Sequence, residues 1–148
     1  MGVLLRQVFD RLMARSDQGV FRLKQAMGGG KTHNLLAAAL LAREPVDRKA
    51  VLQRVGVAVD DRKIRVAAFS GRETDTSEYL WVTLFRALGC EDRWERSSEV
   101  PGPSTWARVI GEGPALILLD VSGRLPTTCL VISDLARAIL DFFLERQI

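Results

Sequence analysis

The spacing of apolar residues divides the chain into alternating helical and extended segments. Apolar residues three or four positions apart indicate one face of a helix, and short continuous or alternating apolar runs indicate strands. Helices are predicted over residues 3–15, 32–43, 47–55 and 104–110, with one more ending near Leu88 and a last amphipathic one after residue 134. Strands are predicted over residues 20–24, 64–69, 115–120 and 128–132. Helices that alternate with buried strands are typical of α/β domains.

Two of these helices carry more specific expectations. Residues 32–43 are apolar on nearly every side, so this helix is expected to be largely buried. Asp75 and Glu78 have the spacing of a capping box and predict the start of the helix that ends near Leu88.

Length and composition predict one compact domain, residues 1–148, because 47% of the residues are hydrophobic. The net charge of +3 comes from scattered arginines, which permits nucleic-acid contact but does not argue for it. Cys90 and Cys129 lie far apart without metal-ligand spacing and are interpreted as reduced thiols. The chain has neither a signal-peptide pattern nor an apolar run long enough to span a bilayer, so a cytoplasmic location without membrane partners is expected.

The most specific chemistry lies in a glycine-rich turn between the first strand and the second helix. Gly28, Gly29 and Gly30 allow backbone N–H groups to curl around phosphate oxygens, and the helix start adds further donors. Lys31 would then reach the phosphates, and the Thr32 hydroxyl would bind Mg²⁺. These five residues are the candidate nucleotide site. The alternative is a plain glycine-rich turn, since Gln25 stands where the general phosphate-loop pattern has its first glycine.

A carboxylate at the end of a buried strand completes the candidate site. The apolar run 115–119 ends in Asp120, and ligands of open α/β sheets bind at the carboxyl ends of strands. Asp120 is therefore predicted to hold Mg²⁺ together with Thr32, and Lys31 and Asp120 are the candidate catalytic residues. The alternative is an aspartate that only opens a turn after a core strand.

The phosphate loop with its flanks, residues 21–36, resembles a family of large prokaryotic AAA-like P-loop ATPases with a domain of unknown function. Residues 68–73, 117–120 and 129–135 are similar to that family as well, so the resemblance covers most of residues 3–135. Members occur in phage-defence islands beside DNA methyltransferases and helicases. The resemblance implies a three-layer α/β P-loop domain with a mostly parallel sheet, ATP and Mg²⁺ as ligands, and such defence proteins as partners.

Residues near the γ-phosphate are weaker candidates. In such ATPases the strand beside the metal strand often carries a polar sensor, which would be Ser133 or Asp134; a helix cap is the alternative. Arg72 and Arg124 are candidates for phosphate contact or plain exposed arginines. His33 is the only histidine, and a single histidine cannot build a metal site by itself.

The chain departs from the family in length and at one residue. Family members resemble one another in carrying Glu after the aspartate and a long segment before the next strand, whereas this chain has Val121 and a short turn. The expectation is an ATPase core with an internal deletion and an early stop, which binds ATP and hydrolyses it weakly or not at all. The alternatives are a non-hydrolysing nucleotide-binding module, a non-functional fragment and a small phosphotransferase. An apolar face on the last helix would favour a homo-oligomer.

Overall fold

The computed structural model describes residues 2–23, 30–70 and 78–120 and the strand backbone of residues 128–132. The helices in this part of the chain are α1 (Gly2–Leu12), α2 (Lys31–Arg43), α3 (Pro45–Arg54), α4 (Leu80–Ala87) and α5 (Pro103–Ile110), with a single 3-10 turn at Glu91–Arg93. The strands are β1 (Val20–Leu23), β2 (Arg65–Ser70), β3 (Ala115–Asp120) and β4 (Thr128–Ile132). The predicted mixture of helices and strands is confirmed, whereas the predicted last helix lies outside the described residues.

The four strands form one sheet in the order β1-β4-β3-β2. Strands β2 and β3 are parallel, and β4 is antiparallel to both β1 and β3. The sheet is therefore mixed, which corrects the prediction of a mostly parallel sheet. The reason is the connection between β3 and β4, which consists of residues 121–127 alone. A parallel return needs a crossover of about a dozen residues or more, whereas an antiparallel return needs only a short turn.

Helices pack against both faces of β2 and β3. Alternate strand residues Val66, Leu116 and Leu118 belong to a first core shared with α1, α2 and α3. The intervening residues Ala67, Ile117 and Leu119 belong to a second core shared with α4 and α5. Because β3 is covered on both faces, its residues 115–119 are all buried, as their continuous apolar run predicts.

Helix α2 is buried on one side only, so the expectation that it is largely buried is wrong. Leu36 and Leu40 are 56% and 62% exposed. The buried residues of α2 are Leu35, Ala38, Leu41 and Ala42. These four follow helical spacing, so one stripe of α2 meets the first core while Leu36 and Leu40 face away from it.

The start of α4 also differs from the prediction. The helix begins at Leu80, so Glu78 precedes it and cannot act as the fourth residue of a capping box; Asp75 lies outside the described residues. Arg86 instead donates to both carboxylate oxygens of Glu78, at 2.8 and 2.9 Å, and to Glu91 at 3.0 Å. Glu78 is engaged by charge-assisted hydrogen bonds from the last turn of α4, which compete with capping.

The tryptophans of the second core behave as packing residues. Trp106 is buried and lies 4.7 Å from Phe85 between ring centroids, and Trp94 lies 5.5 Å from the same ring. Trp81 is half-buried at the start of α4. Such tilted ring pairs stabilise a core beyond their buried area.

A buried arginine, which hydrophobic spacing does not reveal, ties α3 to two neighbouring segments. Arg48 is fully buried, and its guanidinium donates to the carbonyl oxygens of Ala42 (3.1 Å), Asp60 (3.0 Å) and Arg62 (2.8 Å). Burial lowers the pKa of Arg48. The same turn, residues 60–62, is also held by hydrogen bonds from Arg62 to the Asp60 carboxylate, which lower the pKa of that carboxyl to about 2. Arg48 thus fixes the end of α2 against the turn that leads into β2.

Replacing Arg48 by methionine is expected to destabilise the fold by about 2–4 kcal/mol, because three carbonyl groups lose a charged donor. Urea unfolding monitored by circular dichroism measures this change. Lys49→Met is the matched control, since the Lys49 ammonium pairs with Asp61 at 2.7 Å on the surface and contributes less than about 1 kcal/mol. Equal stability of the two variants would contradict the structural role of Arg48.

Candidate functional site

Gly30, the residue of the glycine-rich turn that the structure describes, leads directly into α2. Gly30 is the N-cap of this helix, with φ 74° and ψ 16°, and its carbonyl accepts the first helical hydrogen bond from the Asn34 N–H at 3.0 Å. This left-handed conformation favours glycine over residues that carry a Cβ. Lys31 and Thr32 are the first two residues of α2, and the partial positive charge at a helix N-terminus favours an anion. Gly28 and Gly29 lie outside the described residues.

The structure brings together the two predicted metal ligands, which lie 88 residues apart in the sequence. The Thr32 hydroxyl donates to Oδ2 of Asp120 across 3.5 Å. This is the long limit of a hydrogen bond, so what matters is that the two oxygens are neighbours rather than that they bind each other strongly. The start of α2 therefore meets the carboxyl end of β3.

Asp120 lies in a row of residues that crosses all four strands at the end of the sheet where β1, β2 and β3 terminate. Strand pairing aligns it with Ser70, the last residue of β2, and with Thr128, the first residue of β4. Thr128 is aligned in turn with Leu23, the last residue of β1. The four strands thus contribute one residue each, in the order Leu23, Thr128, Asp120 and Ser70.

Strand β4 runs in the direction opposite to β3. Ser133 and Asp134 lie outside the described residues, but β4 ends at Ile132, which is paired with Leu116 near the opposite edge of the sheet. The strand therefore runs away from Asp120. A parallel β4 would have delivered its last residue to the site, whereas this one delivers its first.

Of three other residues considered in the sequence analysis, the structure describes only His33. His33 is exposed in the first turn of α2. Arg72 and Arg124, the candidates for phosphate contact, lie outside the described residues. The alignment of Ser70 and Thr128 with Asp120 depends on strand pairing, which sequence spacing does not reveal.

The donor set is chemically suited to a hard cation that keeps water and phosphate ligands. Carboxylate and hydroxyl oxygens are ligands that Mg²⁺ prefers, and Asp120 and Thr32 supply one of each. Among the described residues, no group of three or more histidine, cysteine, aspartate or glutamate residues could hold a metal. A cation here would take its remaining ligands from solvent and a bound phosphate, which is the usual coordination of Mg²⁺ in nucleotide sites.

Comparison with known proteins leaves the family resemblance as a prediction. No protein-family model, no curated protein and no solved structure matches the chain. None of the described helices combines the length and the apolar character needed to cross a lipid bilayer.

Gly30→Ala is expected to destabilise the protein by about 1 kcal/mol more than Gly102→Ala, because a Cβ strains the left-handed conformation. The two glycines are closely matched, since both are helix N-caps without a side-chain cap and an added Cβ meets nothing within 4 Å at either. They differ in φ, which is 74° at Gly30 and −74° at Gly102. Urea unfolding compares them, and equal losses would exclude backbone strain at the head of α2.

Proposed function

We propose that the chain is a nucleotide-binding P-loop domain that binds ATP with Mg²⁺. The observation that carries this proposal is the contact between Thr32 at the head of α2 and Asp120 at the end of β3, next to the left-handed Gly30. A glycine turn, a helix start, a hydroxyl and a strand-end carboxylate are the parts that P-loop nucleotide sites combine. The two halves come from distant parts of the sequence, so their meeting supports a site more than either half does alone.

The residues have distinct roles in this proposal. Backbone N–H groups from Gly28 through Thr32 cradle the phosphates, and the Lys31 ammonium binds their oxygens by charge-assisted hydrogen bonds. Thr32 and Asp120 hold Mg²⁺, which when bound neutralises phosphate charge. The first turn of α2 contains no acidic residue, so no side-chain carboxylate there opposes an anion.

The sheet and the helices on its two faces support the proposal of a three-layer P-loop fold. Helices pack on both faces of β2 and β3, and β1, β2 and β3 run in one direction because β1 and β3 are both antiparallel to β4. The carboxyl ends of these three strands share one edge, where ligands of α/β sheets bind. The family resemblance extends the proposal to a cytoplasmic defence-type ATPase domain that works with a DNA methyltransferase or helicase.

A second candidate function is nucleotide binding without hydrolysis, and the sequence after Asp120 favours it. Val121 stands where related ATPases are expected to carry the glutamate that positions the attacking water; it lies outside the described residues. A valine side chain neither accepts a proton nor orients a water molecule. We therefore propose that ATP binding is the primary property of the domain and that Lys31 and Asp120 act mainly in binding ATP and Mg²⁺.

Mg-ATP is expected to raise the melting temperature of the protein, and Lys31→Ala is expected to remove most of that shift. Ligand at 100 times its Kd stabilises a fold by about 2.7 kcal/mol, which is readily seen in a thermal melt. Lys63→Ala is the control, because Lys63 is an exposed lysine in the segment before β2. A folded wild-type protein whose melting temperature does not respond to millimolar Mg-ATP would refute the site.

Hydrolysis is expected to stay near background in the wild-type chain, because loss of one general base costs about 10²–10⁴-fold in rate. Val121→Glu is expected to raise phosphate release from ATP, measured at saturating Mg-ATP, and the Val121→Gln variant controls for size without a base. Robust wild-type turnover that Lys31→Ala abolishes would contradict the binding-only interpretation and assign the base to another residue.

A further inference from the structure

Two aromatic rings are stacked at the start of α4. The ring centroids of Tyr79 and Trp81 are 4.6 Å apart, and the ring planes are within 6° of parallel. Trp81 is half-buried and packs against the second core, whereas Tyr79 is 49% exposed. With one face of the Tyr79 ring covered by Trp81, this exposure leaves the other face open to solvent. We call these two residues the aromatic platform.

The residues on either side of Tyr79 hold the platform in place. Glu78 accepts hydrogen bonds from the Thr83 hydroxyl at 3.2 Å and from the Arg86 guanidinium at 2.8 and 2.9 Å. Leu80, on the other side, packs against the second core. The ring is thus presented by a backbone that is fixed before any ligand arrives, so binding to it loses little conformational freedom.

Helix stability does not account for a tyrosine at this position. Tyr79 is the N-cap of α4, and its side chain caps no N–H group of this helix, which the structure describes throughout. N-cap positions favour Ser, Thr, Asp and Asn, whose side chains accept a hydrogen bond from the first turn. Tyrosine gives up that bond and exposes a flat apolar surface. Departures from a local rule of this kind are expected at functional sites.

The platform lies towards the edge of the sheet that carries Asp120. Helix α4 packs against β2, which ends at Ser70 in line with Asp120. Because β2 and β3 are parallel, the chain between them must return to the opposite end of the sheet. Beyond the end of α4, burial raises the pKa of the Cys90 thiol, and the charge of nearby Arg65, the first residue of β2, opposes this shift. The end of α4 is therefore near the start of β2, and its start is near the end of β2.

The starts of α2 and α4 flank this edge from the two faces of the sheet. Helix α2 belongs to the first core and α4 to the second. Thr32 approaches Asp120 from one side, and Tyr79 stands on the other. A helix layer is about 10 Å thick, so a nucleotide that lies across the edge can place its phosphates at α2 and its base at α4.

We propose that the open face of Tyr79 stacks on the purine base of the nucleotide whose phosphates bind at the start of α2. This inference rests on the proposed function. Stacking needs only two flat π-surfaces, which the base and the exposed ring supply. The positive charge of the chain is scattered, whereas the predicted phosphate-binding groups are at the same edge as the platform, which favours the base of a bound nucleotide over a base of a nucleic acid.

The test separates affinity for the base from affinity for the phosphates. Calorimetry with Mg²⁺ measures the Kd of ATP and of ribose 5′-triphosphate, which has the sugar and phosphates of ATP but no base. The ratio of the two values gives the contribution of the base. Tyr79→Leu is expected to reduce this ratio about fivefold or more, since loss of a stacked aromatic ring weakens base binding by that amount. Its Kd for ribose 5′-triphosphate is expected to equal that of the wild type.

Two further variants make the assignment specific. Tyr79→Phe keeps the ring without the hydroxyl and is expected to retain most of the ratio. Val46→Ala removes apolar surface from a side chain that is 81% exposed on α3, away from the platform, and is expected to leave the ratio unchanged. If Tyr79→Leu does not fold, the wild-type protein still decides, because equal Kd values for ATP and ribose 5′-triphosphate would exclude a base site.

Each remaining outcome also decides the matter. An unchanged ratio in Tyr79→Leu, with Lys31→Ala still abolishing ATP binding, would overturn this inference and leave the proposed function standing. Equal losses for both ligands, or a reduced ratio in Tyr79→Phe, would overturn it too, because neither result requires stacking on the ring. Weaker binding of a single-stranded oligonucleotide by Tyr79→Leu at unchanged ATP affinity would assign the platform to nucleic acid instead. A wild-type protein that binds no ATP would refute both proposals together.

Discussion

The short connection between β3 and β4 is the constraint on which the arrangement of the candidate site depends. Residues 121–127 cannot supply a crossover helix, so β4 returns beside β3 in the opposite direction. The antiparallel direction places Thr128, the first residue of β4, beside Asp120 in place of the last residue, Ile132. It also places β4 between β1 and β3, so that the strand leading to the glycine turn and the strand ending in the carboxylate are one strand apart.

The buried part of the sheet makes the position of Asp120 well determined. Strand β3 is covered on both faces, by α1 to α3 on one side and by α4 and α5 on the other. A one-residue shift of β3 would exchange the side chains that face its two cores and would move Asp120 out of line with Ser70. The carboxylate therefore sits at the end of the most constrained strand, whereas the helix that brings Thr32 to it is packed on one side only.

Polar contacts outside the candidate site connect the helices to neighbouring segments. Arg48 donates to three backbone carbonyls between the end of α2 and the turn before β2. Arg86 joins Glu78 to Glu91 and so links the start of α4 to the 3-10 turn. In the interior, Arg48 donates to backbone carbonyls that would otherwise be buried without a partner. At the surface, Arg86 pairs with two carboxylates, and such exposed pairs contribute less to stability.

Local sequence alone determined most of the elements and the composition of the glycine turn. Apolar spacing located α1, α2, α5 and β3, because periodicity reports which face of a segment is buried. The position of Asp120 at the end of a continuous apolar run followed from the same pattern. Gly30, Lys31 and Thr32 were evident because few turns combine these residue types before a helix.

The tertiary structure decided what no local pattern contains. The direction of β4, the exposure of Leu36 and Leu40, and the alignment of Ser70 and Thr128 with Asp120 all depend on which segments become neighbours. The meeting of Thr32 and Asp120 was predicted from sequence, but only the packing of α2 against β3 brings them to 3.5 Å. Pairing and packing are long-range interactions, and periodicity along one segment carries no information about its partners.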